Sequence, residues 1–181
     1  MDWNVIATAY DERGLRRARR FLSRYGEVAR TGFHNVLVVQ VPDVDTFLQA
    51  MAAVLEDDAS IFNDISRLMP AHATFSFASA AEFEDKAGAI ARQWADRLAD
   101  GSFHVRLHRR TGDMPVKLRS HDEEVFLDSV ILQHLSGTGR PGRVKFEDPD
   151  YVLDVETVGA RAGMSLWSRE DLTRLPFLRV D

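Results

Sequence analysis

The chain has 181 residues, 45% of them hydrophobic, no cysteine, and a formal net charge of −5. The length suits one ordinary domain or two small ones, and the apolar content supports a packed core rather than a disordered polymer. Lack of cysteine excludes disulfides and thiolate metal sites and fits a reducing compartment.

No basic n-region precedes an apolar run at the start (MDWNVIATAYDERG), so a signal peptide is not expected. No stretch approaches the ~20 apolar residues of a membrane span. A soluble, cytoplasmic chain without a membrane partner is the expectation.

From the N-terminus, WNVIATA is rich in β-branched residues and reads as a strand. In DERGLRRARRFLSRYG, Leu15, Ala18, Phe21 and Leu22 recur at helical spacing, Gly26 follows as a stop, and six arginines cover the remaining surface. VARTGFHNVLVVQV holds two β-like runs around a turn-prone His34-Asn35. Phe47, Leu48, Met51 and Leu55 mark a helix over about Val44–Leu55, and IFNDISRLMP closes with a strand. The order β-α-β-β-α-β is the ferredoxin-like pattern.

Near Phe75–Ser79 a second unit begins, which divides the chain into residues 1–77 and 78–181. Ser79-Ala-Ala-Glu82 is a capping box, opening a helix with Phe83, Ile90, Trp94 and Leu98 as its buried stripe. Phe103, Val105 and Leu107 then alternate with His104, Arg106 and His108, which predicts a strand with one wet face. Ser120-His-Asp-Glu123 reads as another capping box, followed by a strongly apolar helix to about Leu135. Two β-like runs, Tyr151–Val158 and Ala160–Trp167, and a short helix between Ser168 and Pro176 complete the chain.

Few stretches suit catalysis or cofactors. SGTGRPG contains a formal G-x-G-x-x-G from Gly137 to Gly142, but it follows a helix and precedes a strand, the reverse of a dinucleotide site. The acid row Asp148, Asp150, Asp154 and Glu156 reads as an exposed strand face. The six histidines form no metal motif, and His104 and His108 stand about 13 Å apart along a strand. No P-loop or nucleophile elbow is present. The expectation is a chain that is not an enzyme, with no metal and no cofactor.

Charge divided by segment is more telling. Residues 1–41 carry seven basic and four acidic side chains, whereas residues 42–99 carry four and ten. Between His104 and His121 stand five Lys or Arg and three His against one acid, Asp113. Only three of the 23 cationic residues are lysines, and Arg offers the planar fork that suits phosphate. Two basic surfaces therefore sit inside an acidic average, and local potential governs association with a polyanion. A protein-interaction or regulatory subunit that binds no RNA is the alternative reading.

Residues 80–181 resemble the THUMP domain of tRNA-modifying enzymes. FHVRLHRR is similar to that family's first strand, the helix opened by Ser120 and Glu123 to its Ser-started helix, and DPDYVLDVE and GMSLWSREDLTRLPFLRVD to its closing strands and tail. The first unit is similar to the ferredoxin-like domain that commonly precedes THUMP. The resemblance implies an α+β chain, a ferredoxin-like βαββαβ domain followed by THUMP, that binds tRNA. It further implies an adaptor presenting tRNA to a separate modification enzyme in trans, a cytidine acetyltransferase first among them. The RNA-contacting candidates are Arg13, Arg16, Arg17 and Arg20 on the first helix. In the second unit they are His104, Arg106, His108, Arg109, Arg110, Lys117 and Arg119, with Arg140, Arg143 and Lys145 from the Gly-rich loop.

Overall fold

The computed structural model describes residues 1–110 and 112–181. The chain divides into two compact units, Met1–Thr74 with Leu175–Arg179, and Phe75–Arg174 with Val180–Asp181.

In the first unit β1 (Val5–Ala9), α1 (Glu12–Leu22), β2 (Glu27–Arg30), β3 (Val36–Gln40), α2 (Val44–Asp57) and β4 (Ile65–Pro70) follow the expected order. The sheet order is β2-β3-β1-β4, with β1 antiparallel to both β3 and β4. Asp11 caps α1 by accepting from Gly14 N at 2.6 Å, and Asp43 caps α2 by accepting from Thr46 N at 2.7 Å. α1 buries Leu15, Ala18 and Leu22 against the sheet, leaving its arginines outside. Gly26 is required by close approach: a Cβ there would lie 2.2 Å from the carbonyl oxygen of Gln40 on β3. The Leu175–Arg179 segment joins this unit through Leu68 N donating to Phe177 O at 3.0 Å and the stacked rings of Phe62 and Phe177.

In the second unit α3 (Ala80–Trp94), β6 (Ser102–His108), α4 (Ser120–Thr138), β7 (Arg143–Val144), β8 (Tyr151–Val158), β9 (Arg161–Ser168) and α5 (Arg169–Arg174) follow β5 (Ala73–Ser76). The five-stranded sheet runs β5-β9-β8-β6-β7, with β6 parallel to β7 and β8, and β8 antiparallel to β9. The core gathers Phe83, Phe103, Leu127, Ile131, Leu135 and Leu153, all at most 1% exposed. This is a mixed α+β fold with two sheets. Among the described residues no helix is long and apolar enough to cross a membrane.

The first capping box forms: Ser79 Oγ accepts from Glu82 N at 3.1 Å, and Glu82 reaches back to Ala78 N at 2.8 Å. The second does not. α4 starts at Ser120 with Arg119 as its cap residue and no side-chain cap bond, and Glu123 turns inward to 4% exposure. Leu118, just before the helix, is fully buried. The Gly-rich stretch is a helix end: Gly139 caps α4 in the left-handed region at φ 71°, where glycine has no steric penalty.

Candidate nucleic-acid interface

β6 sends Phe103, Val105 and Leu107 into the core, and these are at most 5% exposed. The expected wet face of the same strand is largely covered. β6 is an interior strand, and its register places His104 beside Val152, Arg106 beside Asp154 and His108 beside Glu156 of β8. His104 is 6% exposed, Asp154 1% and Glu156 2%. The acid row is therefore not an exposed face: its last two members, Asp154 and Glu156, are buried. Asp150 has a separate task, accepting from Ser102 N at 2.8 Å and Ser102 Oγ at 2.9 Å, which lowers its pKa and ties the starts of β6 and β8 together.

Buried carboxylates are tolerated when paired. Here His108 Nε2 lies 3.6 Å from Asp154 Oδ1, and Arg110 Nη1 donates to Glu156 Oε2 at 2.5 Å. This corrects the strip expected from alternation: His104 is enclosed, and His108 and Arg110 are held by acids of the neighbouring strand. Sequence reasoning also missed that a histidine accompanies the acids, since His108, Asp154 and Glu156 bring ligand-type atoms within 4.8 Å of one another. A divalent cation among them would meet the Arg110 guanidinium at contact distance from one of its own ligands. The arrangement is therefore that of a charge-compensated network.

The strand ends at His108, and Arg109 swings outward, its Nη1 donating to Leu118 O. A carbonyl does not neutralise it. Lys117 and Arg119, near the start of α4, are exposed and make no side-chain hydrogen bond or ion pair among the described residues, and the same holds for Arg143 on β7. Arg140 is instead paired with Asp100 at 2.8 Å, and Lys145 donates to Asp148 O at 3.0 Å. On α1 of the other unit, Arg16 pairs with Glu12 at 3.7 Å and Arg17 with Asp64 at 3.1 Å, while Arg13 and Arg20 are exposed and unengaged among the described residues.

Acids at the start of α4 shape the local field. Glu124 Oε1 accepts from Leu107 N at 2.9 Å, satisfying a strand amide beyond the short β7. Burial, with Glu84 and Asp122 nearby, pushes Glu123 up to about 7. Burial and Glu124 push Asp128 up to about 6. Glu123 thus carries only part of a charge at neutral pH.

No family model and no curated protein matches the chain. Solved structures do. PH1313 from Pyrococcus horikoshii Ot3 shares the fold with TM-score 0.58 at 16% identity, over 92% of this chain and 55% of that one. A 4-thiouridine synthetase in complex with RNA and bound ATP matches with TM-score 0.53 at 17% identity, over 92% and 42%. A possible methylase from Clostridium difficile 630 matches with TM-score 0.53 at 15% identity, over 91% and 40%. The chain thus spans about half or less of the length of these structures.

These neighbours correct the expectation that the chain is not an enzyme, because the fold it shares is one that enzymes carry. That expectation rested on missing nucleophile and phosphate-loop motifs. Such motifs report on a segment equivalent to only part of the neighbouring chains, so their absence carries no weight.

Proposed function

We propose that this chain binds tRNA and presents it to the catalytic centre of an RNA-modification enzyme. A cytidine acetyltransferase acting in trans is the first partner to test. The observation that carries the reading is the group of exposed cations Arg109, Lys117 and Arg119, none neutralised by a protein carboxylate among the described residues. Its support is a fold shared with a 4-thiouridine synthetase that was solved with RNA bound. A-form RNA presents phosphates and a wide, shallow minor groove, which Arg forks and Lys charges engage without reading base edges. Arg143 is a further exposed cation of the same unit, and Arg13 and Arg20 are exposed cations on α1 of the other unit.

Fluorescence anisotropy with total tRNA at several salt concentrations tests the reading. Affinity should fall steeply with salt, and Lys117→Glu with Arg119→Glu should weaken it tenfold or more at low salt, on the order expected for lost phosphate contacts. Undetectable binding at low salt, alone and with the candidate enzyme added, would sink the proposal.

A further inference from the structure

Residues from the carboxyl ends of α1 and α2 line a cleft of about 290 Å³ that lies wholly within the first unit. Phe21 and Tyr25 contribute rings to it, Val54 and Ile61 aliphatic surface, and Asp57 and Asp58 exposed carboxylates. A volume at the small end of ligand clefts suits one long side chain rather than a cofactor. Tyr25 is fixed by its neighbours, its ring centroid 5.4 Å from that of Phe21 and 5.9 Å from that of the buried Phe47. Aromatic faces attract cations through the ring quadrupole. The chain supplies one instance itself, since the guanidinium of Arg24 lies over the Phe21 ring at 5.9 Å from its centroid.

Charge at this end of α2 runs against the helix dipole. The carboxyl end of a helix carries partial negative charge, which basic residues in the last turn ordinarily offset. α2 has none there, and its end reads Glu56-Asp57-Asp58. Hydrogen bonds from Ser60, its backbone N at 3.0 Å among them, hold Asp58 below the usual carboxylate pKa, so it stays ionised at neutral pH. Asp57 makes no side-chain hydrogen bond or ion pair among the described residues. Arg24, the cation that lines the cleft, sits on Phe21 rather than on either acid. Local conflicts of this kind cost stability and concentrate where function uses them.

A fixed aromatic ring, aliphatic surface and carboxylates in excess over cations fit one guest chemistry. We infer that this cleft is a docking site for a partner protein, and that it receives an arginine side chain of that partner, packed on Tyr25 and paired with Asp57. Arginine suits it better than lysine, because a planar guanidinium stacks on a ring while its edge donates to a carboxylate. The same acids repel phosphate, so this end of the first unit faces protein rather than nucleic acid. The inference goes beyond the RNA-binding reading and does not depend on it.

The test titrates the full ¹⁵N-labelled chain with a capped Gly-Ala-Arg-Ala-Gly peptide and with its citrulline counterpart, which keeps the shape and loses the charge. The arginine peptide should shift the amide signals of Tyr25, Asp57 and Ser60. The citrulline peptide should bind about fivefold more weakly, as expected for one exposed cation–π contact and ion pair. Asp57→Asn should weaken the arginine peptide by a similar factor, and because Asp57 is exposed the variant does not threaten the core. No response to the arginine peptide, an equal response to citrulline, or a response that survives Asp57→Asn overturns the inference. Two further results would also overturn it. Free guanidinium ion binding as tightly as the peptide would make the cleft a small-cation site. Sedimentation showing a dimer that Asp57→Asn dissolves would give the cleft to a second copy of the chain.

Discussion

Arg110 and Glu156 form an ion pair, Nη1 to Oε2 at 2.5 Å, in which the carboxylate is only 2% exposed. A cation that alternation placed on an open RNA-facing strip instead compensates a buried acid. Removing it leaves a carboxylate desolvated and undercompensated, a change that costs about 3 kcal/mol in comparable cases. Arg110→Ala should therefore lower the urea midpoint markedly, whereas Lys117→Glu, fully on the surface, should shift stability by no more than about 0.5 kcal/mol. Equal midpoints for the two variants would contradict the buried-pair account.

Salt dependence separates the two kinds of cation. Each phosphate contact removed should flatten the slope of log affinity against log salt by about one. Lys117→Glu with Arg119→Glu should flatten it by about two, while Arg140→Ala, whose guanidinium is spent on Asp100 at 2.8 Å, should change it little. Anisotropy at four or five salt concentrations reads all three slopes.

Glu123 imposes a defined pH dependence. Its pKa rises from 4.5 to about 7 on folding, through burial and then the nearby Glu84 and Asp122. Below 4.5 both folded and unfolded chains hold the proton and nothing is lost. Between 4.5 and about 7 the unfolded chain releases it first, so stability falls as pH rises and the full cost stands above 7. Glu123→Gln should gain stability over the parent at pH 8, by ~2–3 kcal/mol, and match it near pH 4. Thermal melts of both proteins across this range measure the difference, and a constant offset at all pH values would refute the assignment.

Gly26 tests the packing of the first unit. An added Cβ would sit 2.2 Å from Gln40 O and 2.9 Å from its carbonyl carbon, both backbone atoms of β3 that cannot rotate away. Gly26→Ala should cost ~2 kcal/mol or more by forcing the strands apart. Gly32→Ala, with open space at that Cβ, is the matched control. Circular dichroism melts suffice.

Much of the architecture was legible from local pattern. The period of Leu15, Ala18 and Leu22, the Ser79–Glu82 box and the alternation of Phe103, Val105 and Leu107 each reappear as helix, cap and core strand. β5 and β7 were missed because strands of four and two residues carry too few alternations to stand out. The second capping box was misplaced because Glu123 serves the interior rather than the helix end, a choice that a four-residue motif does not encode.

What the sequence by itself determined is the order of elements and the side of each that is apolar, since both follow from periods of two and 3.6 residues along the chain. It also determined which residues carry charge. Which of those charges remain available was decided only by tertiary structure. Alternation separates the two faces of β6 but does not say whether the polar one meets water or acids from another strand. Arg110 and Glu156 are 46 residues apart in sequence, and only the parallel register of β6 with β8 brings them together. The same register sets His104 beside Val152, where it is 6% exposed, and the exposed cations that follow it, Arg109, Lys117 and Arg119, stand beyond the strand's end.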